Sequence, residues 1–516
     1  MMCLHDFVIV VPVADRPRQL ADCLDSLAGL LQRFPYAGAV SVLIVDDSLE
    51  PAAIARHRAL ADTHTRAGLP TRHLDRAAQR ALVQDLPAAL RERLGAVLGR
   101  PEADHAERIG PSASRNLACL WLSRLPRRGR KRLFWFVDSD ERFRVEVETA
   151  TGGTQSHDLD YLHTLDRLFT ERPIDVLTGR VVGDPPVSPA VMALTLLDDV
   201  LTLLADLSEQ QPHTPCRYHG HAVRAGDAAY HDMADLFGYS RPAAMPYRCP
   251  LRSTHDHAAC LAHFAAGLGQ FFDGVHPTRR SLFEIGQALT LTPARTVYTG
   301  NYVISESALA WFIPYASLRL RMAGPTLGRL LRAELGERFV CANLPLWHGR
   351  TLADLGRSEC RPGIVHGAGG VDLSGEFERQ YFGDVMLFTL EALTGLGYPG
   401  KALDDEVIRR ELAAVEARMH ARYLSQQTAI AERIRRFQAM LEDDARWWRQ
   451  EAATGPAQEA LTRFMRDLGR NFGPHAPPWR RISAPAYREA RLDEICVALA
   501  RYADERAAWL EALHRA

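Results

Sequence analysis

Leu133-Phe134-Trp135-Phe136-Val137-Asp138-Ser139-Asp140 is the stretch on which the reading of this chain turns. A run of apolar residues, preceded by a basic cluster and closed by an acidic triplet, predicts a buried strand with polar residues at its carboxyl end. Carboxylates spaced i, i+2 beyond such a strand can share one divalent cation. Hard oxygen ligands suit Mg²⁺ or Mn²⁺, which bridge to phosphate oxygens. A D-x-D triplet is common by chance, and solvated loop acids are the plain alternative. The chain on either side decides between the two.

Upstream, Phe7-Val8-Ile9-Val10-Val11-Pro12-Val13 is a continuous β-branched run of the kind that a parallel sheet covers on both faces. Asp15-Arg16-Pro17 then predicts a helix start. Leu20, Cys23, Leu24, Leu27, Leu30 and Leu31 follow at helical spacing. Ser41 to Val45 reads as the next strand and ends in Asp46-Asp47-Ser48. Open α/β sheets bind ligands at such strand ends. Gly110-Pro111-Ser112-Ala113-Ser114-Arg115-Asn116 leads into Leu117, Leu120 and Trp121. It predicts a helix whose first N–H groups suit an anion, with Arg115 as a forked donor to phosphate or ribose.

The order of these motifs resembles the GT-A-fold glycosyltransferases, most of all glycosyltransferase family 2. The resemblance is specific over residues 5–145, looser over 290–352 and absent beyond. It implies an α/β GT-A core (nucleotide-diphospho-sugar transferase, Rossmann-like) with a helical C-terminal domain. It also implies a nucleotide-diphosphate sugar donor and a glycan, lipid-linked or small-molecule acceptor. By this resemblance Pro12, Asp15, Asp46, Asp47, Arg115 and Asp138 contact substrate, and Asp138 and Asp140 hold Mn²⁺ or Mg²⁺ on the diphosphate. Asn301, in Thr299-Gly300-Asn301, lies on the acceptor-side strand. His348, within Leu344-Pro345-Leu346-Trp347-His348-Gly349-Arg350, completes the metal site. The chain departs from the family where an acidic motif is expected before Leu327-Gly328: Pro325-Thr326 stand there instead. Glu306, Asp273 and Glu334 are the substitute catalytic bases. A retaining transfer, in which the leaving phosphate assists, needs no base at that position, so inversion and retention both stay open.

The chain has 516 residues, 47% of them hydrophobic and 24% charged, enough for two or three domains. A net charge of −1 excludes an electrostatic case for a nucleic-acid partner. No apolar run reaches the roughly 18–20 residues of a membrane span, and Phe7 to Val13 is too short and wrongly flanked for a signal peptide. Nine cysteines without a C-x-x-C pair predict reduced thiols in the cytoplasm.

Residues 1–375 read as the GT-A domain, with 190–290 an acceptor-side insertion. Residues 149–157 read as a mobile loop and 353–375 as a glycine-rich linker or active-site loop. Residues 376–516 read as a helical C-terminal domain whose amphipathic helices pack on the core, dimerise the chain or hold a partner. Between His213 and His263 lie His213, Cys216, His219, His221, His231, Cys249, His255, His257, Cys260 and His263. Their spacing is irregular, unlike the paired ligands of a structural zinc. Acceptor binding or ordinary packing is the expectation, with His231, Asp232 and Tyr239 on the acceptor side. Two rival functions follow from the same residues. A nucleotidyltransferase would need a glycine-rich basic loop after the first strand, which Pro12-Val13-Ala14-Asp15 does not supply. A non-catalytic nucleotide-binding or scaffold descendant would account for the missing acid.

Overall fold

The computed structural model describes residues 5–99, 107–126, 129–149, 154–218, 247–251, 253–286, 289–350, 362–367, 369–450 and 454–515. The described strands up to His348 are β1 His5–Val13, β2 Val40–Asp46, β3 Thr71–Leu74, β4 Lys131–Val137, β5 Glu141–Arg142, β6 Val145–Glu148, β7 Thr154–His157, β8 Val176–Gly183, β9 Leu291–Pro293, β10 Asn301–Ser305 and β11 Phe339–His348. The main sheet runs β3-β2-β1-β4-β10-β8-β11-β5, with β9 paired to β11. Strands β1, β2, β3 and β4 are mutually parallel, and β8 is parallel to β11. β10 lies antiparallel between β4 and β8, so β8 and β11 share the direction of β4. The carboxyl ends of six strands therefore fall on one edge.

Period-two alternation sorts the strand residues between two helical layers. Phe7, Ile9, Val11, Leu133 and Trp135 pack on one face, against Leu20, Leu24 and Leu27 of the helix Pro17–Arg33 and Tyr161, Leu162 and Leu165 of the helix Tyr161–Glu171. Val8, Val10, Phe134 and Phe136 pack on the other, against Leu117 and Leu120 of the helix Pro111–Ser123. That second layer continues without a break into the C-terminal helices Ser374–Gly395, Asp405–Glu442, Gly455–Phe472 and Pro485–His514. Trp509 Nε1 donates to Leu309 O at 2.9 Å, and Tyr398 OH donates to Leu499 O at 3.0 Å. A mixed α/β sheet domain and a distinct C-terminal helical region thus share one apolar core. Among the described residues no helix is long and apolar enough to cross a membrane.

One expectation changes. Residues 149–157 are not all loop: β6 and β7 form an antiparallel hairpin, with residues 150–153 outside the described residues. The signal was the alternation Val145-Glu146-Val147-Glu148, whose valines face Val182, Leu282, Phe283 and Trp347. Residues 353–361 and 368, within the glycine-rich segment 353–375, lie outside the described residues.

Asn301 knits the sheet together. Its Oδ1 accepts from Trp135 Nε1 at 2.9 Å, and its Nδ2 donates to Arg180 O at 2.9 Å and Leu344 O at 2.8 Å. The β8–β11 register breaks between Cys341 and Pro345, and this amide fills the gap in the ladder. Asn301→Ala would orphan a buried indole N–H and two carbonyls, each costing about 1–3 kcal/mol. We expect a loss of at least about 2 kcal/mol in urea unfolding; a smaller loss would mean the bulge closes without the amide.

Among the C-terminal helices, Asp384 is buried and accepts from Gln380 Nε2 at 2.7 Å and Tyr423 OH at 2.5 Å. Burial pushes its carboxyl up to about 7, against the two hydrogen bonds. An unfolded aspartate titrates near 3.9. Between those values the folded chain keeps a proton that the unfolded chain releases, so stability falls as pH rises through that window. Asp384→Asn should therefore gain on the wild type in urea midpoint between pH 5 and pH 8. Parallel pH profiles would assign the titration elsewhere.

Candidate functional site

Strand order reverses between β1 and β4, and the carboxyl edge at such a switch point is where α/β sheets hold ligands. The loop after β1 begins with Asp15 in a left-handed conformation, φ 52°, which a short acidic side chain tolerates. Its amide donates to Ser48 Oγ at 2.7 Å, and its carboxylate accepts from Glu50 N at 3.0 Å and from Arg108. Pro12, also predicted to touch substrate, sits in β1 beside Val45 of β2. The loops after β1 and β2 are thereby locked together.

Asp46 and Asp47 face inward. Asp46 Oδ1 accepts from Ser48 N, and Oδ2 accepts from His57 Nδ1 at 2.9 Å and His73 Nε2 at 2.8 Å. Burial opposes its charge, but the two imidazoles outweigh burial and hold the carboxyl below its usual range. Asp46, His57 and His73 bring one ligand atom each within 4.8 Å of one another, so the cluster could coordinate a divalent metal. Hydrogen bonding already accounts for the geometry, except that His57 Nε2 is buried without a partner. Asp47 accepts from Ile109 N at 3.1 Å and Gly110 N at 2.9 Å. Burial raises its carboxyl despite those amides. Both residues shape the strand-end loops from beneath. Neither histidine carried a sequence signal.

Asp47 anchors the start of the helix Pro111–Ser123, whose first turn has no side-chain cap. Arg115, buried on that helix, reaches Asp138 Oδ1 with one guanidinium nitrogen and Pro111 O with another. Asn116 bonds Val97 O, Ile313 O and Ile313 N, which fixes the helix against the core. Asp138 keeps 36% of its side chain exposed, so the pair opens to solvent.

Asp140 is the centre of the edge. Arg16 Nη1 donates to its Oδ2 at 3.0 Å, and His348 Nε2 lies 3.6 Å from the same oxygen. His348 Nδ1 donates to Asp184 O at 2.5 Å, which turns the Nε2 edge of the ring toward Asp140. Burial works against a charge on Asp140. His348, then Arg16 and Arg350, overcome it and hold the carboxyl well below its usual range. Asp184, buried beside this knot, is paired with Arg280 at 3.0 Å and accepts from Arg350 N at 2.9 Å.

Glu141 is a carboxyl the sequence reading missed, although it directly follows the acidic triplet. Burial, then the neighbouring charge of Asp138, raises its pKa well above normal. Tyr298 OH donates to Oε1 at 2.5 Å, and Oε2 is buried without a partner. Gly300 leaves room for this contact: a Cβ there would press on Glu141 Oε1 and stand 3.0 Å from Tyr298 OH and 3.1 Å from Asp138 Oδ2.

The substitute bases fall away from this edge. Asn301 pairs with Val137 and Ser305 with Leu133, so β10 carries Glu306 to the opposite end of β4. That is roughly 13 Å or more away at about 3.3 Å per residue. Glu306 lies 3.6 Å from Arg132 there. Asp273 bonds His366 Nε2 at 3.1 Å, on a segment packed against the helix Gly455–Phe472. Glu334 accepts from Trp311 Nε1 and Arg506 Nη2. Thr326 is buried in the helix Ala323–Leu335. Asn301, predicted to meet acceptor, has its amide fully engaged within the sheet. His219, His221, His231, Asp232 and Tyr239 lie outside the described residues.

Removing one partner of a buried charge pair is expensive. His348→Ala should lower stability by about 3 kcal/mol, and by clearly less in an Asp140→Asn background, where there is no charge to compensate. Additive losses in this double-mutant cycle would show that the two side chains are not coupled. No protein-family model and no curated protein matches the chain.

Proposed function

We propose that the chain is a metal-dependent glycosyltransferase with a GT-A core, moving a sugar from a nucleotide-diphosphate donor to a hydroxyl acceptor. One observation carries the reading: at the switch-point edge, Asp140 sits against an imidazole nitrogen whose ring the Asp184 carbonyl orients, with a solvent-facing Asp138 two residues before it. Two carboxylates and such an imidazole are a donor set that Mn²⁺ accepts, and Mg²⁺ through its oxygens. Bound there, the ion would neutralise charge on the departing nucleoside diphosphate. The antiparallel β10 inserted beside β4 and the uncapped helix carrying Arg115 support the same reading. Arg16 and Arg115, each paired with an aspartate, are placed to turn toward phosphate oxygens once a cation takes over the carboxylates.

The second reading is a nucleotide-binding descendant without transfer. The position of Glu306 at the far end of the sheet favours it, as does the burial of Thr326. A retaining transfer accommodates the same observations.

A thermal-shift screen of nucleoside diphosphates and nucleotide-sugars, with and without Mn²⁺, tests the proposal on wild type and Asp140→Ala. At a hundred times its Kd a ligand adds about 2.7 kcal/mol, or roughly 2 °C in a chain of this size. We expect metal-dependent stabilisation by one nucleotide, lost in the variant. No response to any nucleotide counts against both readings. Stabilisation without transfer to any acceptor and without donor hydrolysis selects the second.

A further inference from the structure

The segment after the helix Pro189–Ser208 brings Cys216 against Cys249, His255 and Cys260. We infer that these four side chains form a structural zinc site. Each offers one ligand atom, and all four atoms lie within 4.8 Å of one another. A tetrahedral zinc with Zn–S bonds of about 2.3 Å sets its sulfurs about 3.8 Å apart, inside that limit. Cys249 Sγ and His255 Nε2 are 3.1 Å apart. The three cysteines are buried free thiols.

The surroundings are built for ligation. His255 Nδ1 donates to Ser253 O at 2.7 Å, which leaves Nε2 with its lone pair toward the sulfurs. Asp256 caps the helix His257–Gly267, accepting from Ala259 N at 2.8 Å, and so sets Cys260 in the first turn beside His255. Cys216 N donates to His255 O at 2.9 Å, and Cys249 N donates to Tyr218 O at 3.3 Å. These bonds hold the ligand-bearing segments side by side.

The neighbouring histidines have other tasks. His257 Nδ1 lies against Gln211 O and Thr214 Oγ1, and its Nε2 accepts from Arg217 N. His213 pairs with Asp256. Four of the described cysteines and histidines converge, and His213 and His257 orient the backbone around them.

Three thiolates and one imidazole select a soft, tetrahedral ion over Mg²⁺. With four protein ligands the site has no open position, so its role is to cross-link. It ties the chain after Pro189–Ser208 to the start of the helix His257–Gly267, which packs on Gly455–Phe472 through the shared core. The linear spacing argued against zinc because the ligands come from separate segments rather than from one knuckle. This site is independent of the proposed donor site.

The test measures metal content of the full chain purified reduced from zinc-replete medium. One zinc per chain is expected, retained in Asp140→Ala and lost in Cys249→Ser and Cys260→Ser. On wild type, a zinc chelator should lower the unfolding temperature by several degrees, restored by Zn²⁺ and not by Mg²⁺. Replacement by Co²⁺ should give thiolate-to-metal charge transfer and the visible bands of tetrahedral cobalt, a readout that needs no variant. Zinc absent from the reduced wild type together with no cobalt spectrum overturns the proposal. So does zinc content unchanged in Cys249→Ser, or an intact mass two hydrogens lighter that marks a disulfide in place of the metal.

Discussion

Covering a parallel sheet on both faces leaves polar side chains one place to go. β1 and β4 bury both faces, one under Pro17–Arg33 and Tyr161–Glu171, the other under Pro111–Ser123 and the C-terminal helices. Charge is therefore driven to the strand ends. Because β1, β2, β4, β8 and β11 point the same way, the residues following them collect on one edge. Asp15, Asp47, Asp138, Asp140, Asp184 and His348 are neighbours for that reason.

Gathering acids on one edge creates its own problem, since buried like charges repel. The chain resolves it unevenly. Asp140 keeps its charge because His348, Arg16 and Arg350 surround it, whereas Glu141 next to it is pushed toward the neutral form. Asp138 pairs with Arg115 but stays open to solvent. One buried carboxyl held toward its charged form, one pushed toward its neutral form and one exposed, side by side, are an arrangement that a cation would rebalance. Asp384, another carboxyl that burial pushes up, lies instead in the helical region, far from this edge in the chain.

The C-terminal helices complete the sheet rather than stand apart from it. Their amphipathic faces, legible from Met386, Leu390 and Leu393 and from Ile408, Leu412, Val415 and Met419, turn onto the same apolar layer that covers Val8 and Phe134. Trp509, through Leu309 O, and Tyr398, through the Tyr315 hydroxyl, then bind this region to the segment leading out of β10. A boundary near residue 375 divides chemistry of sequence more than it divides the core.

Local pattern decides what is local, and the sequence by itself determined β1, β2 and β4, the helices after β1 and before β4, the burial of those strands, and the acids at their ends. Those follow from runs and periodicities within a few residues of each other. What each acid does was settled by groups distant in the chain. Asp46 is occupied by His57 and His73, Asn301 by Trp135, Arg180 and Leu344, and Asp140 by Arg16 and His348. The antiparallel direction of β10 removed Glu306 from the edge, and no property of Glu306 itself records that direction. Cys216, Cys249, His255 and Cys260 converge for the same reason in reverse. Sequence spacing measures distance along the chain, whereas ligation and hydrogen bonding depend on distance in space, which only the packed sheet and its crossovers supply.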